Sequence, residues 1–281
     1  AAAWCWKAPA PSGPTGRPKF VRAAAPATLD PSRPVAEFLP RRATQIVAGP
    51  LWHSAVFTYA FRGLLTGHRL VILDRFDPAA WVTAVETHRA TWGLLVPAMM
   101  ARLLRLAPEV RAAERVGSIE SVLHMGAPCA PALKRAFIDW LGPERVDEVY
   151  VGSESNGLTR ITGTEWLERP GSVGRPIGGT GVRIRDERGH DLPVGEAGLV
   201  WMRRGSGAAY SYVGATSRRD AEGWDTLGDI GHLDADGYLF LHDRSDDMID
   251  RGGDRIAPAT IEAVRCAHPA DRDARPFARA A

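Results

Sequence analysis

Asp225-Thr226-Leu227-Gly228-Asp229-Ile230-Gly231-His232-Leu233-Asp234-Ala235-Asp236-Gly237-Tyr238-Leu239-Phe240-Leu241-His242-Asp243-Arg244 reads as strand, tight turn and strand. Asp234-Ala235-Asp236-Gly237 is the turn: carboxylates accept local backbone hydrogen bonds, and Gly takes a positive φ without steric cost. Tyr238, Phe240 and their neighbours are read as alternating apolar and polar, the pattern of a half-buried strand. Gly228-Asp229 sets a carboxylate beside a residue with no side chain. Arg244, Asp246 and Asp247 follow the hairpin, and the stretch closes at Ile249. A carboxylate can hold both hydroxyls of a ribose, and a nearby Arg can hold a phosphate or hydroxyl. The same residues would also serve as solvated turn acids, and spacing alone leaves both readings open.

Upstream, from Arg69, strands and helices alternate. Leu70–Leu73 is a short buried-strand run. Asp77-Pro78 opens a helix with Asp as N-cap and Pro at the first helical position. Residues 93–96 form the next strand, followed by a helix over 98–106. Residues 121–126 form the third strand and lead into a helix over 131–140, and Val146–Tyr150 is the fourth. This order predicts an α/β fold, a parallel sheet with flanking helices. Ligands of such sheets bind at the carboxyl ends of strands. Gly126-Ala127-Pro128 leaves one strand with a flat, small profile suited to an adenine ring. Tyr150-Val151-Gly152-Ser153-Glu154 leaves the next with an aromatic ring for the base and a carboxylate for a Mg²⁺ bridging phosphates. Residues 163–176 are read as loop. After them, short strands with Gly turns over 178–243 suggest a small β-barrel-like subdomain.

Toward the start, Ser12-Gly13-Pro14-Thr15-Gly16-Arg17-Pro18-Lys19 combines small residues, a hydroxyl and a cation. Such a loop lets backbone N–H groups approach phosphate oxygens, although the Gly-Lys-Ser/Thr of a Walker loop is absent. Residues 20–45, rich in Ala and Pro, read as irregular connection. Trp52 and His53 precede an apolar helix over 56–65 and are placed to line an acyl pocket; a capping or core role for His53 is the plainer alternative.

These motifs together resemble the adenylate-forming superfamily of acyl-CoA synthetases, peptide-synthetase adenylation domains and luciferases. The resemblance rests on the phosphate loop at 12–19, Pro50-Leu51-Trp52-His53-Ser54, the Gly126 segment, Tyr150 to Glu154, Gly228-Asp229, Arg244-Ser245-Asp246, Gly252-Gly253 and Ile261-Glu262. The segments at Trp6-Lys7 and 163–176 look like the carboxylic acid–CoA ligase branch, including bile-acid-type ligases. The resemblance implies nucleotide contacts at Ser12, Gly13, Gly16, Gly126, Ala127, Pro128, Tyr150, Ser153, Asp229 and Arg244. It implies catalytic roles for Thr15, Lys19 and Glu154, with Glu154 the metal ligand, and an acyl pocket at Trp52, His53, Val151 and Gly152. Asp246 takes the place of the hinge. The cofactors implied are ATP, Mg²⁺ and CoA, and the partner a small carboxylic acid.

The chain departs from the family at Pro14, which removes an N–H and a hydroxyl from the phosphate loop. The family carries a portion ahead of this loop and, after the Ile-Glu helix, a mobile C-terminal domain with a catalytic Lys. Lysine occurs here only at Lys7, Lys19 and Lys134. The expectation is therefore an enzyme core truncated at both ends, with slow adenylation. Its expected divisions are 1–177, an α/β nucleotide region; 178–243, the β-rich subdomain; and 244–281, the hinge and the start of a C-terminal domain. A non-catalytic nucleotide- or acyl-binding remnant and an amino-acid-activating domain are the alternatives.

Composition narrows the class further. A net charge of +2 over 281 residues gives no polybasic case for nucleic acid or membrane. Cys5, Cys129 and Cys266 are too few and too scattered for a disulfide framework or metal site. No apolar run reaches the ~20 residues of a membrane helix. No signal peptide is visible, so a cytoplasmic protein is the default expectation.

Overall fold

The computed structural model describes residues 5–10, 19–28, 30, 32 and 35–244, and the backbone of 249–251 and 254–256. The expectations for Ser12, Gly13, Pro14, Thr15, Gly16, Asp246, Gly252, Gly253, Ile261 and Glu262 lie outside the described residues.

In chain order the elements are β1 (Phe20–Ala23), β2 (Thr44–Val47), α1 (Ser54–Leu65), β3 (Arg69–Ile72), α2 (Pro78–His88), β4 (Trp92–Leu95), α3 (Pro97–Leu104), α4 (Ala113–Val116), β5 (Ser121–His124), α5 (Pro131–Leu141), β6 (Val146–Tyr150), β7 (Thr159–Thr162), α6 (Gly163–Glu168), β8 (Ser172–Pro176), β9 (Thr180–Arg185), β10 (Gly198–Arg204), β11 (Tyr210–Val213), β12 (Asp225–Leu233), β13 (Leu239–Arg244), β14 (Ile249–Arg251) and β15 (Asp254–Ile256). Helices α2, α3 and α5 each begin at a proline, whose missing N–H costs nothing in the first turn. Asp77 caps α2 by accepting the Ala80 N–H at 2.8 Å.

One sheet runs in the order β3-β2-β4-β5-β6-β7-β8-β13-β12-β10-β9. Its first five strands are parallel, and every pairing from β6 onward is antiparallel. The inner parallel strands β2, β4 and β5 send apolar side chains to both faces, as a sheet covered on both sides requires. Ile46, Leu95 and Val122 enter a core with Trp81, Met100 and Phe137, which helices α2, α3 and α5 supply. Their neighbours Val47, Leu94 and Leu123 enter a second core with Tyr59 from α1 and Trp92. Ile184, Val200, Met202 and Leu239 form a third, smaller core among the antiparallel strands. Among the described residues no helix is long and apolar enough to cross a membrane.

Residues 163–176 differ from the loop expected of them. Gly163–Glu168 is a helix, and Ser172–Pro176 is a strand. The helix is started by a capping box. The Thr162 hydroxyl accepts the Glu165 N–H at 3.2 Å, and the Glu165 carboxylate accepts the Thr162 N–H at 3.0 Å. Trp166, fully buried, pins it to the core. The stretch 20–45 is also less irregular than expected. Phe20–Ala23 pairs antiparallel with β11, and Thr44–Val47 is an inner strand of the large sheet.

Candidate functional site

The carboxyl ends of β5 and β6 open onto a cavity of about 1450 Å³. Its walls include Gly126, Ala127 and Pro128 after β5, and Tyr150 to Glu154 at the end of β6. Leu227 and Asp229 of β12, Arg244 of β13, Tyr212 of β11, Lys19 and the face of α1 behind His53 complete it. The hairpin of β12 and β13 turns where its residues dictate, with Gly237 at φ +80°. A register shift between Ile230 and Gly231 then brings Asp229 opposite Arg244. The Asp234 carboxylate accepts the N–H groups of Asp236 and Tyr238, at 3.0 and 2.8 Å.

That register delivers Asp229 to the end of β6. The Tyr150 hydroxyl donates to Asp229 Oδ2, and Arg244 Nε stands 3.8 Å from Asp229 Oδ1. Arg244 also donates to the Leu227 carbonyl at 3.1 Å. Burial, and then the Asp229 charge, raise the Tyr150 phenol well above its ordinary range, so it stays a donor to the carboxylate. The end of β6 and the middle of β12, 79 residues apart in sequence, are thereby tied by one hydrogen bond.

Glu154, the carboxylate expected to hold Mg²⁺, is buried on the same wall. Its Oε1 accepts the Tyr212 hydroxyl at 2.6 Å and lies 3.6 Å from Lys19 Nζ. Lys19 in turn donates to the Tyr212 oxygen at 2.9 Å and sits 4.0 Å from that ring's centroid. Burial and the Glu154 carboxylate push the Tyr212 phenol upward, so it too remains protonated. A Cβ at Gly152 would lie 2.9 Å from Glu154 Oε2 and 2.2 Å from the Leu227 side chain, so only glycine lets these groups close up. Among the described residues, Oε2 accepts no hydrogen bond. One free carboxylate oxygen is what a Mg²⁺ held mainly by phosphates and water asks of a protein. No group of three His, Cys, Asp or Glu side chains among the described residues forms a metal site of its own.

Of the expected acyl-pocket residues, His53, Val151 and Gly152 line the cavity. Trp52 does not: it is 85% exposed on the turn before α1 and is absent from the wall that His53 joins. Ser153 lies on the wall between Gly152 and Glu154.

Several contributors were not singled out from the sequence. Tyr210 and Tyr212, two apart on β11, pack ring to ring at 4.8 Å. Tyr210 donates to the buried Asp225 carboxylate at 2.7 Å, which Arg219 approaches at 3.4 Å. The Tyr-Ser-Tyr alternation was the available signal. The scarcity of lysine was another. In a chain with 35 Lys plus Arg, the three lysines all make specific contacts. Lys19, expected at the site, meets Tyr212 and Glu154; of the two not expected there, Lys7 meets Ser54 and Thr58, and fully buried Lys134 pairs with Glu148.

The model of the family described as AMP-binding enzyme matches residues 11–213. The chain belongs to that family. It is 31% identical over 268 residues to 4-coumarate–CoA ligase-like 8 of Arabidopsis thaliana, covering 94% of this chain and 49% of that protein. Among solved structures it resembles the amide bond synthetase McbA of Marinactinospora thermotolerans. The TM-score there is 0.80 at 28% identity, over 92% of this chain and 53% of the other. It also resembles the o-succinylbenzoate CoA synthetase of Bacillus subtilis in complex with its acyl-adenylate intermediate. The TM-score is 0.77 at 26% identity, over 95% and 55% of the two chains. The chain thus spans about half the length of the relatives it matches.

Proposed function

We propose that this chain carries the nucleotide and acid sites of an ATP-dependent carboxylic acid–CoA ligase. The observation that carries the reading is the convergence of Gly126–Pro128, Tyr150, Glu154, Asp229 and Arg244 on one cavity at the strand ends. An acid oxygen attacks the α-phosphorus of ATP and pyrophosphate leaves, giving an acyl-adenylate. The sulfur of CoA then attacks the acyl carbonyl and AMP leaves. The first step brings two anions together, so positive charge must be in place beforehand. Mg²⁺, when bound, spreads the phosphate charge, and Glu154 Oε2 is the oxygen that would hold it. Asp229, already oriented by Tyr150 and Arg244, accepts from the ribose hydroxyls. The small Gly126–Pro128 segment leaves room for the base. Lys19 offers its charge on the phosphate side, next to Glu154. The acid lies along Val151, Gly152 and His53.

Calorimetry with ATP or AMP and Mg²⁺ tests this directly. Binding is expected, and Asp229→Ala should weaken it about tenfold or more, the usual loss for a hydrogen-bonded charged acceptor. No heat of binding at millimolar nucleotide, with the protein folded, overturns the reading. McbA, an amide bond synthetase with the same fold, favours a second acceptor. An amine that consumes acyl-adenylate while CoA does not would replace the thiol step with amide formation.

A further inference from the structure

The wall of the cavity formed by α1 is cationic, and nothing in the nucleotide reading uses it. Ser54, Thr58 and Arg62 recur every four residues, so they fall on one helix face, and all three line the cavity. Lys7 reaches across from the chain ahead of the phosphate loop. Its Nζ lies 3.1 Å from Ser54 Oγ and 3.3 Å from Thr58 Oγ1. The Lys7 ammonium and the Arg62 guanidinium each sit 5.0 Å from the Trp6 ring centroid.

Neither cation has a carboxylate within ion-pair distance among the described residues. The carboxylates that line the cavity are engaged elsewhere: Glu154 by Tyr212 and Lys19, Asp229 by Tyr150 and Arg244, Glu148 by Lys134, and Asp243 by the Arg244 N–H. Arg204, a third cation of the lining, donates to the Gly178 carbonyl. Two neighbouring cations withdrawn from water without an anion are unfavourable by themselves. The strain registers on Lys7, which burial and the adjacent Arg62 bring down to about 8 against the weaker pull of Glu154. Burial likewise lowers Arg62. An arrangement that is costly when empty becomes favourable once an anion enters.

We propose that Lys7 and Arg62 form an anion subsite that takes the second acidic group of a doubly anionic acid substrate, such as a dicarboxylic acid. This rests on the ligase reading for the position of the reacting carboxylate, at the Tyr150–Glu154 end of the cavity. The body of the acid lies against Ala55, Tyr59 and Met125, and its far carboxylate meets Lys7 and Arg62. The phosphates of ATP offer the same chemistry, and the test separates the two sources.

The full chain is titrated with linear and aromatic diacids and their monomethyl esters by ligand-observed NMR, and separately with AMP and with Mg²⁺–ATP by calorimetry. At least one diacid is expected to bind about tenfold tighter than its monoester. Lys7→Met and Arg62→Met should erase that difference, Arg62→Lys should keep part of it, and AMP and ATP should bind these variants as before. Thermal melts establish that each variant folds, and the diacid-to-monoester ratio of the unaltered chain stands without any variant. Equal affinity for diacids and monoesters across the panel overturns the proposal. So does a loss of ATP affinity in the variants without change in the acid ratio, which assigns the cations to the triphosphate. A diacid preference in a chain that binds no nucleotide would leave the subsite standing and remove the ligase reading instead.

Discussion

The parallel and antiparallel halves of the large sheet are held together by different means. Around β2, β4 and β5, apolar side chains leave both faces, and Trp81 and Trp92 are fully buried among aliphatic and aromatic neighbours. Around β9, β10, β12 and β13 the buried apolar core among the described residues is Ile184, Val200, Met202 and Leu239, and the buried Trp224 nearby in sequence is roofed by charge. Trp224 has the guanidinium groups of Arg183, Arg203 and Arg185 at 4.5, 4.7 and 5.7 Å from its ring. Arg185 is held in turn by Asp191 at 2.9 Å and Asp220 at 2.7 Å. A parallel sheet covered on two faces gains its stability from buried area. An antiparallel sheet with one face toward water must shield its aromatic rings with polar groups. The cavity lies where the two meet, and its hydrogen bonds bridge them.

The largest effect should come from the parallel half. Trp92→Ala removes a ring that packs on Tyr59 and His68 and donates to the Phe38 carbonyl. The expected cost is about 3–5 kcal/mol in urea unfolding. A loss below ~1 kcal/mol would mean that the two-faced core is not what holds this half.

Next is a pH effect confined to the same half. His124 is fully buried at the end of β5, 3.7 Å from Glu148, which is ion-paired to Lys134. Burial brings its imidazole down to about 4, against the opposing pull of Glu148. The unfolded chain therefore takes up a proton that the folded chain refuses. Stability is full above pH ~6.5, falls as pH drops toward 4, and levels off below it, by about 3 kcal/mol at most. His124→Leu should flatten the pH 4–6.5 limb. An unchanged slope in that variant would transfer the effect to the neighbouring carboxylates.

The smallest effect is expected in the antiparallel half. Trp224→Leu keeps most of the burial but removes the surface over which the arginines lie, at about 1–2 kcal/mol. A cost equal to that of Trp92→Ala would erase the distinction between the halves.

Much of the fold was legible in the amino-acid order. The Asp234–Gly237 turn, the proline-started helices and the strand over 146–150 follow from local chemistry. A carboxylate accepting its own backbone, or a ring lacking an N–H, acts within a few residues. The helix at 163–168 was also written locally, in the Thr162–Glu165 pair, but the Gly and Pro around it masked the signal. Strand β1 was not legible, because Phe20–Ala23 becomes a strand only by pairing with β11 at Tyr210–Val213, far along the chain.

The site divides along the same line. Gly126, Tyr150, Glu154, Asp229 and Arg244 stand in the sequence with chemistry that points to a nucleotide. The sequence alone determined those side chains, their order, and the turn that folds β13 back on β12; a bulge between Ile230 and Gly231 is what sets Asp229 opposite Arg244. Only the tertiary structure decided which of them meet. It put His53 on the cavity wall and left Trp52 off it, brought Tyr212 onto Glu154, and set Lys7 against α1. The physical reason is range. Turns, caps and hairpins are settled by contacts between residues a few positions apart. Ion pairs and cavities depend on which strand ends the packing of the whole sheet brings within hydrogen-bonding reach.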